Sequence, residues 1–204
     1  MPEPTGHGSD HGSAGRNRRS ELLEIAGQLF AEKGFKNTTV RDIADAAGIL
    51  SGSLYHHFDS KESMVDELLD TFQTQLWEQY DAIVASDRTP RQKLEAVVRT
   101  SFDAIGSHRD EVAIFQNDAL FLTSFDRFAY LGERNQRFRA LWTRLLSEAV
   151  ASGELRADLD VELVYRFVRD TVWVAVRWYR PGGDLSPAAV ADQYLSILLE
   201  GIAR

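Results

Sequence analysis

The sequence of 204 residues contains no cysteine and only five prolines. A chain without cysteine can form neither a disulfide framework nor a thiolate metal site. No apolar run is long enough to cross a membrane, and the N-terminus lacks the apolar core of a signal peptide. We therefore expect a cytoplasmic protein with no membrane partner, no bound metal and no cofactor.

Patterns of catalytic residues are also missing. An enzyme needs a nucleophile beside a base, or metal ligands at a suitable spacing, and the sequence has neither. His56 and His57 are adjacent, so on a helix their side chains project about 100° apart and cannot share one face. We therefore predict that the chain is not an enzyme and has no catalytic residues.

Apolar residues recur with a helical period along most of the chain, starting from an expected N-cap at Ser20. There is no alternating strand pattern and no internal repeat. A chain of this length suggests one or two domains and can bury a substantial core. The spacing of the breaks predicts an all-α protein of about nine helices.

The most informative segment is 38–58, which predicts two short helices joined by a glycine turn. Thr39 is the expected N-cap of the first helix, and Asp42 completes a capping box. Gly48 ends that helix, and the next should run from about Ser51 to His57. This is the arrangement of a helix-turn-helix, whose second helix enters the major groove of double-stranded DNA.

The second of these helices has the composition needed for close approach to DNA. Small residues at its start allow the backbone to come near a phosphate or a base edge. Tyr55 and His56 can donate hydrogen bonds to phosphate oxygens, while Leu54 and Phe58 face inward and hold the helix. The candidate DNA-binding residues are Thr39, Ser51, Gly52, Ser53, Tyr55, His56 and Lys61.

The net charge of −8 is unusual for a DNA-binding protein. Residues 16–61 carry seven Lys and Arg against six Asp and Glu, whereas residues 62–204 carry 16 against 23. The acidity therefore lies mostly outside the candidate DNA-binding segment. With few cations available, helix N-termini and neutral donors must make many of the phosphate contacts, so we expect a modest salt dependence.

The residues before the first helix are rich in Gly, Ser, Pro and His, and we expect a disordered tail over residues 1–16. Arg16, Arg18 and Arg19 lead into the helix. Either they reach along the DNA backbone or minor groove, as basic arms do, or they form a solvated cluster.

The segment from Gly48 to Phe58, followed by Ser60-Lys61-Glu62, closely resembles the DNA-binding domain of TetR-type transcriptional regulators. Leu50 departs from the family pattern, which usually has Ser or Thr there, so we expect Ser51 to take over the cap. The resemblance implies a helix-turn-helix domain over 17–61 and an effector-binding and dimerisation domain over 62–204. It also implies a homodimer that forms through the last two helices and binds a palindromic operator.

The most unusual predicted helix runs from about Asp160 to Tyr179. Its broad apolar face consists of Val164, Phe167, Val168, Thr171, Val174, Ala175 and Trp178, and its opposite side carries Arg166, Arg169, Asp170, Trp173 and Arg177. Guanidinium groups around an indole suit an anionic, partly planar ligand. The alternative is an ordinary surface on which Arg166 pairs with Asp170.

Residues 158–183, together with 48–57 and 64–69, resemble one TetR-type subgroup, the second of the actinobacterial Kst-type repressors, which control breakdown of the last two rings of cholesterol. The resemblance implies a repressor that is released by a CoA thioester of a bicyclic ring-degradation intermediate. Arg169 and Trp173 match the positions associated with that ligand. The candidate effector-binding residues are Arg169, Trp173, Arg166, Arg177, Gln116 and Tyr130, and Arg134 and Trp142 are further candidates.

Two alternatives remain open. The chain could respond to another acyl-CoA or to an unrelated apolar effector, or it could be a constitutive DNA-binding protein that ignores small molecules. In the last helix, the stripe of Tyr194, Leu195, Leu198 and Leu199 is the expected dimer surface, although a core face would have the same pattern.

Overall fold

The computed structural model describes residues 11–201, with side chains from residue 17 onward. Over this range the chain forms nine α-helices, two short 3-10 turns and no strand, which confirms the predicted all-α class. None of these helices is both long and apolar enough to cross a membrane. The helices are α1 (His11–Lys33), α2 (Val40–Ala46), α3 (Ser51–Leu54), α4 (Lys61–Ala85), α5 (Pro90–Ser107), α6 (Arg109–Leu122), α7 (Ala129–Ala151), α8 (Val161–Val174) and α9 (Pro187–Glu200), with 3-10 turns at Asp126–Phe128 and Ala175–Arg177.

The first helix begins earlier than we predicted. The expected N-cap was Ser20, after a disordered tail, but α1 already begins at His11 and Ser20 lies inside it. Once a helical turn has formed, each further residue adds one hydrogen bond, so a helix can extend through residues that have no apolar stripe. The first ten residues of the predicted tail lie outside the described part of the chain.

The chain divides into two compact units after Leu68, within α4. The predicted boundary after Lys61 lies earlier on the same helix. The first turns of α4 belong to the N-terminal unit because their apolar residues complete its core. Side chains that this unit buries completely are Leu22, Ala26, Phe30, Ile43, Ala44, Met64 and Val65.

The basic residues of α1 have partners within the N-terminal unit. Arg18 donates to the backbone oxygen of Ala47 at 3.0 Å, and Arg19 forms an ion pair with Glu67 on α4. These two side chains therefore connect α1 to other elements of the unit, which neither of our two sequence interpretations included. The side chain of Arg16 lies outside the described residues.

The C-terminal unit is organised around α5, which packs against α6, α7, α8 and α9. Thr89 caps α5 in a capping box with Gln92. In the interior, the hydroxyl groups of Tyr80 on α4 and Ser101 on α5 lie 2.7 Å apart, and burial raises the pKa of Tyr80 well above its ordinary value. This pair satisfies two buried hydroxyl groups across the helices, whereas the buried indole nitrogen of Trp142 has no hydrogen-bond partner among the described residues.

The orientation of α8 differs from our prediction. Phe167 and Trp178 belong to the predicted apolar face, yet they are 63% and 55% exposed, whereas Trp173, on the predicted opposite side, is only 7% exposed. The apolar residues of this helix cover more than half of its circumference, so the periodicity cannot tell which part of that wide face lies against the core. The side chains that α8 buries are Tyr165, Val168, Val172 and Trp173.

The predicted dimer stripe of α9 needs a similar correction. Leu195 is buried, and the ring of Tyr194 packs 5.7 Å from that of Phe102 on α5. Both side chains therefore belong to the core of their own unit. Leu198, also in the predicted stripe, is 38% exposed, and with Ile197, which is 47% exposed, it forms the exposed apolar surface of α9.

Candidate functional site

The predicted turn between two short helices is present, and its local hydrogen bonds explain it. The hydroxyl of Thr39 accepts from the backbone N–H of Asp42 at 3.1 Å, and the carboxylate of Asp42 accepts from the N–H of Thr39 at 2.8 Å. Hydrogen bonds from the hydroxyl and N–H of Thr39 hold the pKa of Asp42 below its ordinary value. Gly48 follows α2 with φ +66°, and Ile49 then donates to Ala44 at 3.0 Å, so the chain turns at once into α3.

The start of α3 lacks the cap that we expected Ser51 to supply. Leu50 is the N-cap residue, and no side chain makes a capping hydrogen bond there. Ser51 is already the first helical residue, and a hydroxyl at that position is past the point from which it caps the next N–H groups. The N–H of Ser53 donates to the backbone oxygen of Leu50 at 2.9 Å, so the N–H groups of Ser51 and Gly52 are the ones left for a ligand. The side chain of Leu50 beside them is 80% exposed.

Six of the seven candidate DNA-binding residues lie on α3, in the turn after it, or at the start of α2. Leu54 and Phe58 are buried, as predicted, and anchor this segment to the core. A Cβ atom added to Gly52 would meet no atom within 4 Å. Of the candidates, Thr39, Gly52, Tyr55 and His56 are exposed, and Ser51 and Ser53 are partly exposed.

Lys61, the seventh candidate, has partners inside the N-terminal unit. Its Nζ donates to the backbone oxygens of Phe35 at 2.8 Å and Thr38 at 2.9 Å, and it lies 4.2 Å from the centre of the Phe35 ring. The ammonium group thus connects the start of α4 to the segment between α1 and α2. Contact of DNA with Lys61, as with the other six residues, stays a prediction.

A cavity of about 80 Å³ lies within the C-terminal unit, between α4, α6, α7 and α8. Most of its wall is apolar, and the polar groups are few, as is usual in small-molecule sites. The lining residues are Phe72, Gln73, Leu76, Trp77, Val112, Phe115, Gln116, Arg134, Asn135, Phe138, Arg169 and Trp173.

Three of the predicted effector-binding residues meet at this cavity. Gln116 reaches it from α6, and Arg169 and Trp173 reach it from α8. The indole of Trp173 packs edge-on against Phe138 at 5.9 Å. Arg169 donates to the adjacent Asp170 at 2.6 Å, and this hydrogen bond raises the pKa of the guanidinium. Its charge is therefore fixed, and it is half exposed at the cavity wall.

The other three predicted residues lie outside the cavity wall. Arg166 is exposed and pairs with Glu162 at 3.7 Å. It does not pair with Asp170, the partner expected for an ordinary surface. Arg177 is exposed in the second 3-10 turn. Tyr130 lies beneath Arg134, whose guanidinium carbon is 4.5 Å from its ring centre.

Arg134, one of the two further candidates, also lines the cavity. It is 26% exposed and donates to Asp70 at 2.6 Å and to Gln73 at 3.3 Å, both on α4. The sequence signal was the aromatic Tyr130 one turn earlier on α7, which places a cation over a ring. The cavity wall described above thus contains two guanidinium groups and no carboxylate, a composition that favours an anionic or oxygen-rich ligand.

Comparisons with known proteins match both parts of the chain. Residues 22–68 match a family model described as "Bacterial regulatory proteins, tetR family", and residues 87–202 match one described as "Tetracyclin repressor-like, C-terminal domain". Together these two ranges contain every helix-turn-helix residue and every cavity residue from α6 onward discussed above.

Two relatives and one solved structure are similar over nearly their whole length. The HTH-type transcriptional repressor KstR2 of Rhodococcus jostii (strain RHA1) is 57% identical over 195 residues, 96% of each chain. Its namesake from Mycobacterium tuberculosis (strain ATCC 25618 / H37Rv) is 53% identical over 92% of this chain and 94% of its own. The solved structure of the ketosteroid transcriptional regulator KstR2 of M. tuberculosis gives a TM-score of 0.88 at 53% identity, covering 92% of this chain and 95% of the other.

Proposed function

The chain belongs to the TetR family of bacterial regulatory proteins, and we propose that it represses genes of steroid catabolism until a CoA thioester of a bicyclic sterol-ring intermediate releases it from DNA. It is a transcriptional regulator and not an enzyme, as are the matched family and relatives. A cytoplasmic location follows from this role, because the operator DNA is there.

DNA binding is assigned to the exposed surface of α3 and the turn after it. A homodimer would place two copies of this surface about one helical turn of DNA apart, roughly 34–36 Å, on a palindromic operator. The open N–H groups at the start of α3 and the donors on Tyr55 and His56 suit phosphate oxygens. Ser51, Gly52 and Ser53 allow the backbone to approach closely.

The observation that carries the effector proposal is the position of Arg169 and Trp173 on the cavity wall. An indole gives a flat apolar surface for a bicyclic ring system, and a guanidinium pairs with carbonyl or phosphate oxygens. The exposed Arg166 and Arg177 lie on the same helix or just after it. We assign them to the phosphate groups of the CoA moiety, which remains near solvent.

The size of the cavity explains how binding could be coupled to DNA release. Sites for ligands of drug size occupy roughly 300–1,000 Å³, whereas this cavity is about 80 Å³. A bicyclic thioester can enter only if α4, α6, α7 and α8 move apart. Since α4 continues from the DNA-binding unit, such a movement changes the preferred spacing of the two α3 helices, and a differential affinity of a few kcal/mol is sufficient.

Dimerisation is assigned to the exposed apolar side chains of α8 and α9, which we call the α8–α9 surface. It consists of Leu163, Phe167, Trp178, Ile197 and Leu198. Apolar side chains that one chain leaves in water are buried when two copies associate through the same surface. The exposure of these side chains supports an interface on the last two helices.

The first experiment measures binding of the purified chain to labelled DNA from upstream of its own gene, with and without the bicyclic CoA thioester. Free CoA, acetyl-CoA and the CoA-free acid serve as controls. We expect release by the thioester alone. Release by acetyl-CoA would favour a regulator of another acyl-CoA, and binding that ignores every ligand would favour a constitutive DNA-binding protein.

Variants then test the cavity. Arg169→Gln and Trp173→Leu should each raise the thioester concentration for half release by about tenfold. This is the effect expected when one charged hydrogen bond or the burial of one aromatic ring is lost. The matched control is Arg144→Gln on α7, an exposed arginine outside the cavity that pairs with Glu148 at 3.9 Å. Equal effects of all three substitutions would place the effector elsewhere.

A further inference from the structure

Two arginines of α7 connect that helix to α4 by ion pairs. Arg134 donates to Asp70 at 2.6 Å, and Arg137 donates to both carboxylate oxygens of Asp81 at 2.8 Å. Each guanidinium also stacks on an aromatic ring, that of Tyr130 or Trp77. The two pairs are therefore alike in chemistry and in the helices that they join.

Of these four charged residues, only Arg134 lines the cavity. Arg134 lines the cavity together with Gln73, its second partner on α4, whereas Arg137 and Asp81 do not. The Gln73 side chain is buried, while Asp70 is 57% exposed. A guanidinium has five N–H donors, so Arg134 can face both α4 and a ligand in the cavity. Asp70 would be hydrated if Arg134 turned away from it.

The other cavity arginine differs from Arg134 in its partners. Arg169 pairs with Asp170, the next residue of the same helix, and its guanidinium lies 5.6 Å from the ring centre of Tyr165, one turn earlier on α8. If a ligand bound the guanidinium of Arg169, the Arg169–Asp170 pair would be lost, but that pair joins no two helices. A ligand that binds the guanidinium of Arg134 in place of Asp70 removes an ion pair between α7 and α4.

We propose that Arg134 is a further effector-binding residue and that an oxygen of the effector replaces Asp70 as the acceptor for its guanidinium. The atom it binds is an acceptor oxygen of the effector, either a ring carbonyl or a phosphate. The Arg134–Asp70 pair then stabilises the DNA-binding form, and its exchange for the effector contact removes one of the two described ion pairs between α4 and α7. This inference rests on the proposed function, since it requires an effector that acts through the cavity.

The test compares Asp70→Asn with Asp81→Asn. Asp70→Asn removes the carboxylate that competes with the effector for Arg134. It should therefore lower the thioester concentration for half release by about threefold to fivefold, which corresponds to the upper range of free energies for an exposed ion pair. It should also weaken operator binding in the absence of effector. Asp81→Asn should change either quantity by less than about twofold, because it breaks the α7–α4 pair that does not face the cavity.

Direct titration of the thioester into DNA-free protein, followed by tryptophan fluorescence, separates this role from a merely structural one. A loss of packing would weaken both DNA and effector binding, whereas the exchange predicts tighter effector binding in Asp70→Asn. Arg134→Gln should bind the thioester about tenfold more weakly, and Asp70→Asn should then have no further effect in the double variant. Titration with free CoA identifies the oxygen: a loss of CoA affinity in Arg134→Gln means a phosphate, and an unchanged affinity means a ring carbonyl.

The two levels of the proposal fail in different ways. If the wild-type chain binds DNA but ignores the thioester, the proposed effector is wrong. If the thioester releases the wild-type chain while Asp70→Asn and Asp81→Asn behave alike, the effector stands and the exchange at Arg134 is overturned. Circular dichroism confirms that each variant is folded before either conclusion is drawn.

Discussion

Gly52 is required neither by the backbone conformation nor by packing. It is not among the glycines with positive φ, and an added Cβ atom would meet nothing within 4 Å. Glycine in a helix costs roughly 0.5–1 kcal/mol relative to alanine. Since neither the backbone nor packing requires this glycine, we expect its role to be the close approach of DNA to the start of α3.

We expect Gly52→Ala to leave the free energy of unfolding unchanged or raise it by up to about 1 kcal/mol. Operator affinity should fall on the order of tenfold, because the added methyl group prevents one contact with a base edge or a phosphate. Thermal melts and fluorescence anisotropy measure the two quantities. The control is Gly48→Ala, where φ is +66° and a Cβ atom should cost about 1–2 kcal/mol of stability. Unchanged operator affinity in Gly52→Ala would mean that DNA does not approach this end of α3.

The residues that the sequence identified correctly depend on short-range chemistry. The capping box of Thr39 with Asp42 involves neighbours within one turn, and Gly48 ends α2 by its own backbone freedom. Lys61 could not be interpreted in the same way, because its partners lie 26 and 23 residues away. Nothing local distinguishes a lysine that binds carbonyl groups from one that binds phosphate.

At the scale of the helix, the capping box gives α2 a stability that depends on pH. The pKa of Asp42 is lowered in the folded chain, so its contribution is present above the unfolded pKa, near 4, and is lost as the pH falls through the folded pKa. We expect Asp42→Ala to destabilise the chain at pH 7, and the difference from wild type to shrink below about pH 4.

Urea unfolding at pH 7 and at about pH 3.5 measures this difference. Asp45→Ala is the control, because it removes an exposed carboxylate from the same helix that pairs only with Arg41, at 3.7 Å, and makes no cap. A stability difference for Asp42→Ala that stays constant down to the lower pH would exclude the carboxylate as its source.

The helices themselves followed from the sequence, but the direction in which α8 faces did not. The breaks between periodic segments predicted the number and order of the elements, because Gly, Pro and Ser clusters interrupt the backbone locally. Which stripe of α8 faces inward depends on α5 and α7, which pack against it. That information lies in distant parts of the chain, and so the exposure of Phe167 could not be predicted.

This exposure makes α8 the place to test dimerisation. Phe167→Asp should convert the dimer to a monomer and abolish operator binding, since a symmetric interface loses two aromatic rings, each worth about 1.5–3 kcal/mol, and gains two buried charges. Leu120→Asp on α6, at a residue that is 91% exposed, is the matched control and should leave the dimer intact. Sedimentation equilibrium measures the mass, and a dimeric Phe167→Asp variant would place the interface away from the α8–α9 surface.

For the whole molecule, the distribution of charge limits how the chain finds its operator. The net charge is −8, and an acidic body discourages non-specific association with nucleic acid. Within the N-terminal unit, Arg18, Arg19 and Lys61 all have partners in the fold. Lys33, Lys36 and Arg41 are the exposed cations in the described part of this unit, and Lys33 and Arg41 lie 3.6 and 3.7 Å from carboxylates of α2. We therefore expect most phosphate contacts to come from neutral donors and N–H groups.

We therefore expect operator binding with an unusually shallow salt dependence. If each protomer neutralises two phosphates, the slope of log K against log salt is about −3.6, and affinity falls on the order of 150-fold between 50 and 200 mM salt. Arg41→Gln should make this slope shallower by about 2 in the dimer, one phosphate per protomer, while Arg144→Gln in the C-terminal unit should not change it. Anisotropy titrations at four salt concentrations provide the measurement. A slope steeper than about −6 would mean that cations beyond α2 and α3 also contact the phosphates, and the neutral donors of α3 would then contribute little to the affinity.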